Sequence, residues 1–452
     1  MVIKNHAFCY SLIHVTASML ITNQLQMEGT GNKRGLYGIA VVFLFSSTFS
    51  LIIFADMTGN KKRRYIKELI VSPVKEFFAD SRAVGITLLC CTVVSLIISN
   101  SASGEGYLAF WNMELDMPAP GVHIPHTPLH LVNDFLMAFF FLLVGMEIKR
   151  ELLVGELSSV RKSLLPIFAA LGGMAVPALL YLLWTGDNQV FSKGWGIAMA
   201  TDIAFSLGVL AMLGSRTPFT LRVFLMALAI IDDLGGILTI AIFYAEKIDM
   251  TFLAMAGGML FVLSLLNLLK IKRHYIYMLL GFFLWYFFYN SGVHATIAGV
   301  LLAFTIPLHK IEHMVHSMHD PVNFIILPIF ALANTAIILP DTYGHIFTSP
   351  VHHGIVMGLV LGKPLGIVLF SWLTVKIGIA ALPGGMRWKE VIGMGMIAGI
   401  GFTISIFMST LAFKVPELQT TAKVAIMLAS LLAGIAGYVY LRISYSMKKS
   451  GK

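Results

Sequence analysis

Long apolar stretches, separated by short polar connections, follow one another along most of this chain. About 20 apolar residues in succession let a helix cross the hydrocarbon core of a bilayer, and the stretches repeat at about that helical length. They fall near residues 36–55, 84–100, 129–148, 164–184, 195–213, 221–244, 251–269, 275–289, 293–308, 322–339, 354–375, 390–413 and 422–441. No polar connection is long enough for a soluble domain. The pattern predicts an all-α integral membrane protein with about twelve transmembrane helices.

The basic residues predict how these helices are oriented, because cytoplasmic loops carry an excess of Lys and Arg. If each stretch from residue 84 onward is one crossing, the basic clusters fall on one side and only Lys193, Lys247, Lys414 and Lys423 on the other. The clusters are Lys61-Lys62-Arg63-Arg64, Lys149/Arg150, Arg161/Lys162, Arg216/Arg222, Lys270/Lys272/Arg273, Lys376/Arg387/Lys389 and Lys448/Lys449. We therefore expect a membrane domain at 72–446 with both ends in the cytoplasm, and a cytoplasmic tail at 447–452.

The first 71 residues form a separate N-terminal extension in this scheme. Its stretch at 36–55 has three interpretations: an extra span that puts the N-terminus outside, an uncleaved signal-like segment, or residues upstream of a start at Met57.

Composition agrees with a membrane protein. Hydrophobic residues make up 57% of the chain and charged residues 12%, about half of the roughly 25% found in soluble proteins. The net charge of +9 follows from the orientation signal, so no nucleic-acid partner is expected. Cys90 and Cys91 are neighbours in an apolar stretch, where small hydrophobic side chains are the simpler interpretation.

Two adjacent aspartates, Asp232 and Asp233, lie in the middle of the apolar stretch at 221–244. A carboxylate at mid-membrane depth costs roughly 2.5–3.5 kcal/mol on insertion scales, and such groups usually handle protons or cations. Neighbouring helical positions are about 100° apart, so the two side chains should have different partners. This pair is the candidate ion and proton site.

Two other stretches are suited to a break at mid-membrane depth. The first, 195–213, contains Asp202 preceded by Thr201, and the second, 390–413, contains Gly399 and Gly401. Glycine weakens a helix by about 1 kcal/mol, and corresponding broken helices in the two halves of a chain indicate a transporter site. A carboxylate can offset the positive ends of the half-helices. The alternative interpretation of Gly399 and Gly401 is close helix packing.

Lys363 lies inside the stretch at 354–375, too deep to reach water easily. A buried lysine either loses its proton or finds a carboxylate, and Asp232, Asp233 and Asp202 are the candidates. A purely structural ion pair is the alternative.

Further titratable residues lie towards the ends of the stretches. Glu147, Arg150 and Glu151 share one helical face at the predicted cytoplasmic end, as an interfacial charge network, a cation funnel or a pH sensor. Asp134 begins the same stretch. Glu312 lies with His313, His316 and His319 in a predicted cytoplasmic loop, and histidine titrates near neutral pH. His294, at the start of 293–308, is either structural or a proton-handling group.

Six segments resemble the signature segments of the bacterial NhaA-type sodium/proton antiporters, in order between about residues 72 and 443. They are Asn133-Asp134 with Phe141-Leu-Leu-Val-Gly-Met-Glu-Ile-Lys-Arg-Glu151, Ala200-Thr-Asp-Ile-Ala-Phe205, Phe224-Leu-Met-Ala-Leu-Ala-Ile-Ile-Asp-Asp-Leu-Gly235, Ser291-Gly-Val-His-Ala-Thr296, Gly362-Lys-Pro-Leu-Gly366 and Gly399-Ile-Gly-Phe-Thr403.

The resemblance implies twelve helices in inverted repeats, with the spans at 195–213 and 390–413 discontinuous and crossing. It implies ion and proton binding at Asp232 and Asp233 near Thr201, a Lys363–Asp232 pair, and charge balance by Asp202. It places pH sensing at Glu147, Arg150, Glu151 and Glu312, with Asp134 and His294 as further candidates, and a dimer-forming hairpin at 107–128. The implied function is electrogenic, pH-regulated exchange of cytoplasmic Na⁺ or Li⁺ for external H⁺ across the bacterial inner membrane, for sodium extrusion and pH homeostasis.

Physical chemistry agrees with exchange, since a desolvated carboxylate beside another can hold either a proton or a cation. No Gly-x-x-x-x-Gly-Lys-Ser/Thr nucleotide loop occurs in the sequence, and no cofactor is expected. An intramembrane aspartyl protease needs two aspartates facing each other, whereas adjacent residues diverge around one helix. A passive channel is the other alternative, but scattered intramembrane charges with broken helices favour a carrier.

Overall fold

The computed structural model describes residues 81–115, 124–214, 217–245, 248–271, 273–339 and 344–450. The predicted extension at 1–71, with its stretch at 36–55, lies outside the described residues. So do 116–123 of the predicted hairpin at 107–128 and the last two residues of the predicted tail.

Every regular element in the described part of the chain is helical. The helices are α1 (Ser81–Ser99), α2 (Gly104–Asn112), α3 (Pro128–Leu153), α4 (Val160–Thr185), α5 (Gln189–Met199), α6 (Ile203–Ala211), α7 (Phe219–Phe243), α8 (Met250–Leu268), α9 (His274–Ser291), α10 (Ile297–Thr305), α11 (Leu308–Pro321), α12 (Leu327–Asn334), α13 (Gly344–Thr348), α14 (Pro350–Lys376), α15 (Trp388–Ala398), α16 (Phe402–Ala412) and α17 (Pro416–Ser450).

Several of these helices have the length and apolar composition needed to cross a membrane. Among the described residues, α1, α3, α4, α7, α8, α14 and α17 meet both conditions singly, which makes seven spans. Two further pairs meet them together, α5 with α6 and α15 with α16, and bring the total to nine. The prediction of a multi-pass, all-α membrane protein is confirmed. The number twelve stays a prediction, because three predicted stretches in the described part of the chain are not among these nine. The stretch at 275–289 lies in α9, and those at 293–308 and 322–339 form the short helices α10 and α12.

The two predicted discontinuous helices are present. The axis bends by 44° between α5 and α6 and by 46° between α15 and α16. Each break spans a few residues at the place where the sequence has Thr201-Asp202 or Gly399 to Gly401. The two helices therefore stop and restart within the membrane-spanning part of the molecule.

One predicted loop is in fact a helix. Glu312 and the neighbouring histidines lie on α11, which continues through a π turn at Val322–Ile326 into α12. The buried residues of α11 are Ile311, Met314 and Val315, which have the i, i+3, i+4 spacing of an amphipathic helix. The loop prediction was wrong because the polar residues outnumber these three apolar positions.

Close backbone contact joins α4 to α14, the helix that carries Lys363. A Cβ atom added at Gly172 would collide with the carbonyl oxygen of Gly366, and one added at Gly366 would collide with that of Gly172. Small residues allow this approach in membranes, where helix association depends on van der Waals packing. The contact holds α14 against α4 at the depth of the breaks.

Candidate functional site at the helix crossing

The two broken helices cross each other at their breaks, and each satisfies backbone groups that the other leaves free. The backbone N–H of Asp202 donates to the carbonyl of Ile400 at 2.7 Å, and the hydroxyl of Thr201 donates to the carbonyl of Ala398 at 3.0 Å. The Ser405 hydroxyl donates to the carbonyl of Ile197 at 2.8 Å. Irregular backbone at membrane depth needs such partners, since lipid supplies none.

Asp202 connects the N-terminal ends of two half-helices. One carboxylate oxygen accepts a hydrogen bond from the backbone N–H of Phe205 in the first turn of α6, at 2.9 Å. The other accepts from the backbone N–H and the hydroxyl of Thr403 in the first turn of α16, at 3.1 and 2.7 Å. A negative charge is favourable at helix N-termini, so one carboxylate serves both α6 and α16.

Lys363 lies at the C-terminal end of α5. Its ammonium group is 2.9 Å from Asp232, and neither side chain is exposed at all. It also donates to the carbonyl of Met199, the last residue of α5. A cation is favourable at a helix C-terminus, so Lys363 offsets both a carboxylate and a half-helix end. A π turn at Gly358–Gly362 immediately precedes it in α14, and such turns are frequent at functional sites.

Asp232 and Asp233 both lie on α7 and are buried, with 2% and 4% of the whole residue exposed, backbone included. The same oxygen of Asp232 that contacts Lys363 also accepts from the Thr201 hydroxyl, at 2.8 Å. Its second oxygen and both oxygens of Asp233 are buried with no hydrogen-bond partner among the described residues. An isolated buried carboxylate is costly unless it is neutralised or paired. Asp233 therefore needs a bound proton or a bound cation.

A cation at this place needs ligands besides the two aspartates. In the part of the chain that the structure describes, no three or more His, Cys, Asp or Glu side chains are grouped as a metal site. The Thr201 hydroxyl, 2.8 Å from Asp232, is one neutral oxygen at this place. Such oxygen ligands suit a hard cation.

Glu147, Arg150 and Glu151 lie in the last turns of α3. Arg150 pairs with Glu151 at 3.0 Å. Glu147 interacts electrostatically with both and with His319 of α11. His319 therefore belongs to this cluster, and sequence reasoning, which singled out Glu312, gave it no separate role.

The structure does not bring Asp134, His294 and Glu312 to this cluster. Asp134 precedes Glu147 by about 20 Å along the same helix, at about 1.5 Å per residue, and its carbonyl accepts from the Trp285 indole at 2.9 Å. A ring nitrogen of His294 lies 2.8 Å from the carbonyl of Tyr244, beyond the far end of α7. Glu312 is exposed on α11.

Sequence reasoning also missed Thr403 and Lys149 as interacting groups. The ammonium of Lys149 is buried and donates to the carbonyls of Phe304 and Ile306 at 2.7 and 2.5 Å. It thereby caps the C-terminal end of α10. The position of Lys149 on a buried helix face could have indicated such a contact. Because it belongs to a basic cluster, it was interpreted only as a residue that orients the helix in the membrane.

Comparison with known proteins gives consistent matches. The family model described as Na+/H+ antiporter 1 matches residues 75–441. A Na(+)/H(+) antiporter NhaA 2 of Flavobacterium johnsoniae is 48% identical over 379 residues, covering 82% of this chain and 93% of that protein. A Na(+)/H(+) antiporter NhaA of Cytophaga hutchinsonii is 47% identical, covering 82% and 95%. One of Escherichia coli is 44% identical, covering 81% and 97%.

Proposed function

Because the chain belongs to the Na+/H+ antiporter 1 family, we propose that it is a secondary transporter, and not an enzyme, that exchanges sodium for protons at Asp232 and Asp233. The observation that carries the proposal is Asp233, a buried carboxylate with no hydrogen-bond partner on either oxygen among the described residues. Such a group binds one positive charge at a time, either a proton or a cation. That competition is the chemical basis of exchange.

Asp232 adds a second competition. Lys363 occupies the carboxylate oxygen that also accepts from Thr201. A sodium ion that replaces Lys363 as the positive charge on Asp232 leaves the lysine ammonium without its partner in a buried place. A buried amine without a partner favours the neutral form, so sodium binding releases a proton from this pair as well as from Asp233.

Two protons released for each sodium ion make the exchange electrogenic. The membrane potential then contributes about 2.3 kcal/mol per net charge per 100 mV. With a negative interior, the potential drives protons inward and sodium outward. Lithium, a smaller hard cation, is the expected second substrate. The physiological role is sodium extrusion and control of internal pH.

Regulation by pH belongs to the end of the molecule with Glu147, Arg150, Glu151 and His319. The carboxylate of Asp320, 3.7 Å from a ring nitrogen, and the negative charge of Glu147 raise the pKa of His319, against the effect of its partial burial. Its charge thus changes at a pH above the ordinary histidine range, near the acidic groups of α3. The distribution of basic residues predicts that this end lies in the cytoplasm, and the proposed location is a bacterial inner membrane. The region 107–128 is the proposed homodimer contact, lipid surrounds the spans, and no cofactor takes part.

The decisive experiment measures proton flux in inverted membrane vesicles that carry an acid-inside gradient. Adding sodium to vesicles with the wild-type protein should alkalinise the lumen. Asp233→Asn keeps the size of the side chain but removes its titratable charge, so the sodium response should disappear while the amount of inserted protein stays the same. Asp187→Asn is the matched control, because Asp187 is exposed between α4 and α5, and this variant should respond normally.

A normal sodium response of Asp233→Asn would remove Asp233 from the site. A sodium current that continues without any proton gradient would indicate a channel instead of an exchanger. The same assay can be repeated with a membrane potential imposed across the vesicles. A sodium response that does not change with this potential would contradict electrogenic exchange.

A further inference from the structure

The half-helix α5 is bonded to α7 at both ends. Its inner end is the one at the helix crossing, and its outer end is the one near Lys193, on the predicted outer side. At its inner end, Thr201 donates to Asp232 at 2.8 Å. At its outer end, the hydroxyl of Tyr244, which follows α7, donates to the carbonyl of Lys193 at 2.7 Å. The seven residues Lys193–Met199 of α5 are a 3₁₀ helix, which spans about 14 Å, and the twelve residues from Asp232 to Tyr244 span about 18 Å. The two elements therefore run side by side between these bonds.

A second tyrosine binds the same end of α5 from another helix. The hydroxyl of Tyr181 on α4, a fully buried residue, donates to the carbonyl of Phe191 at 2.7 Å. Two glycines allow both approaches: a Cβ atom at Gly194 would collide with the Tyr181 ring and hydroxyl, and one at Gly196 would lie 2.9 Å from the Tyr244 hydroxyl. The outer end of α5 is thus attached to α4 and α7 through two phenol groups.

These hydrogen bonds fix the position of α5 along its axis, and therefore the position of its last residue. Its last carbonyl, that of Met199, accepts from Lys363, and Lys363 in turn occupies Asp232. By fixing the outer end of α5, the two tyrosines therefore also fix the carbonyl that holds Lys363 against Asp232. In this position the ammonium group excludes sodium from that carboxylate oxygen. A fixed half-helix keeps the Met199 carbonyl where the ammonium group needs it.

We propose that Tyr181 and Tyr244 are positioning residues that stabilise the sodium-free state by holding α5 in the register that pairs Lys363 with Asp232. The inference rests on the sodium/proton exchange proposed above. A group that stabilises only the sodium-free state lowers the apparent affinity for sodium, since binding must first overcome that stabilisation. Loss of either hydroxyl therefore makes sodium binding easier.

The test uses Tyr181→Phe and Tyr244→Phe in the full-length protein, reconstituted in proteoliposomes at a fixed alkaline pH. The net contribution of one hydrogen bond corresponds to a fall in KM for sodium of about fivefold for each variant, with no rise in kcat. Tyr277→Phe is the matched control, because Tyr277 is also buried but its hydroxyl donates to the carbonyl of Ile271, away from α5. Its KM should equal that of the wild type.

A lower KM separates positioning from general damage, because a poorly folded transporter loses activity without gaining affinity. The sodium concentration that half-saturates the rise of the melting temperature in detergent should fall by the same factor, and this measurement needs no transport. An unchanged or higher KM in both variants, beside a normal wild type, would overturn the inference alone. A wild type without sodium-dependent proton flux would instead overturn the proposed exchange.

Discussion

Two buried aspartates of this protein have opposite surroundings, although both lie near the helix crossing. Asp202 accepts hydrogen bonds from three donors on α6 and α16, and each of these bonds favours its charged form. Asp233 has no hydrogen-bond donor among the described residues. The number of donors, and not the depth, separates the structural carboxylate from the one proposed to bind the transported ion.

His319 gives a prediction about stability and pH. Its pKa in the folded protein is raised above the ordinary value of 6.5, chiefly by the neighbouring carboxylate of Asp320 and also by the charge of Glu147. A raised pKa means that protonated His319 stabilises the fold fully below about pH 6.5. This contribution is lost as the pH rises through the folded-state value. The melting temperature in detergent should therefore fall over that window, and His319→Gln should lack this part of the fall.

His313→Gln is the control for this prediction. His313 is exposed on the same helix, and its backbone carbonyl accepts a hydrogen bond from the Ser317 hydroxyl. The control variant should keep the pH dependence of the wild type. Equal pH dependence in wild type and His319→Gln would contradict the prediction.

At the scale of the helices, the break between α15 and α16 does not use the conformational freedom of glycine. Gly399 and Gly401 have φ angles of −66° and −99°, which any L-residue adopts. What Gly399 provides is space, since a Cβ atom there would collide with the carbonyl oxygen of Leu359 on α14. Gly399 therefore allows close helix packing and also lies at the break, so the two interpretations of this glycine are both correct.

Gly399→Ala tests this distinction. The added methyl group must push α15 away from α14, the helix that carries Lys363, so we expect a loss of about 1–3 kcal/mol of stability and impaired exchange. Gly257→Ala, on α8, is the control, because nothing lies within 4 Å of its added Cβ. The better helix propensity of alanine should leave that variant as stable as the wild type or slightly more stable. Thermal unfolding in detergent and vesicle assays measure both effects.

The sequence predicted the elements that carry apolar periodicity and the charged residues within them. The breaks were predictable because Thr201-Asp202 and the paired glycines interrupt otherwise continuous apolar stretches. The carbonyls of Met199 and Ala398 were not predictable, since backbone atoms leave no mark in a sequence. The helix α11 was missed because three buried positions among many polar ones resemble a loop, and with it the place of His319 beside Glu147.

At the scale of the whole molecule, the basic residues predict a single orientation in the membrane. A green fluorescent protein fused to the C-terminus should be fluorescent, because that end is expected in the cytoplasm. Alkaline phosphatase fused after Asp187, between α4 and α5, should be active outside, whereas the same fusion after Glu156, between α3 and α4, should be inactive. Activity in the reverse pattern would invert the orientation.

The two broken helices give the two halves of the described molecule a common design. Their bends are nearly equal, at 44° and 46°, and each half contributes one N-terminal end to Asp202. Because the ends of four half-helices meet at one place, a movement of either broken helix changes the partners of both. For the proposed exchange, we therefore expect access from the two sides of the membrane to be controlled at this one place.

The hydroxyl of Thr201 has one hydrogen atom and two acceptors within reach, Asp232 at 2.8 Å and the Ala398 carbonyl at 3.0 Å. Whatever neutralises Asp232 weakens it as an acceptor, and the hydrogen then turns to Ala398. The vibrational frequency of that one carbonyl should follow the occupant of the neighbouring carboxylate. With an isotope label on the carbonyl of residue 398, the infrared frequency of that group would report whether Asp232 is neutralised.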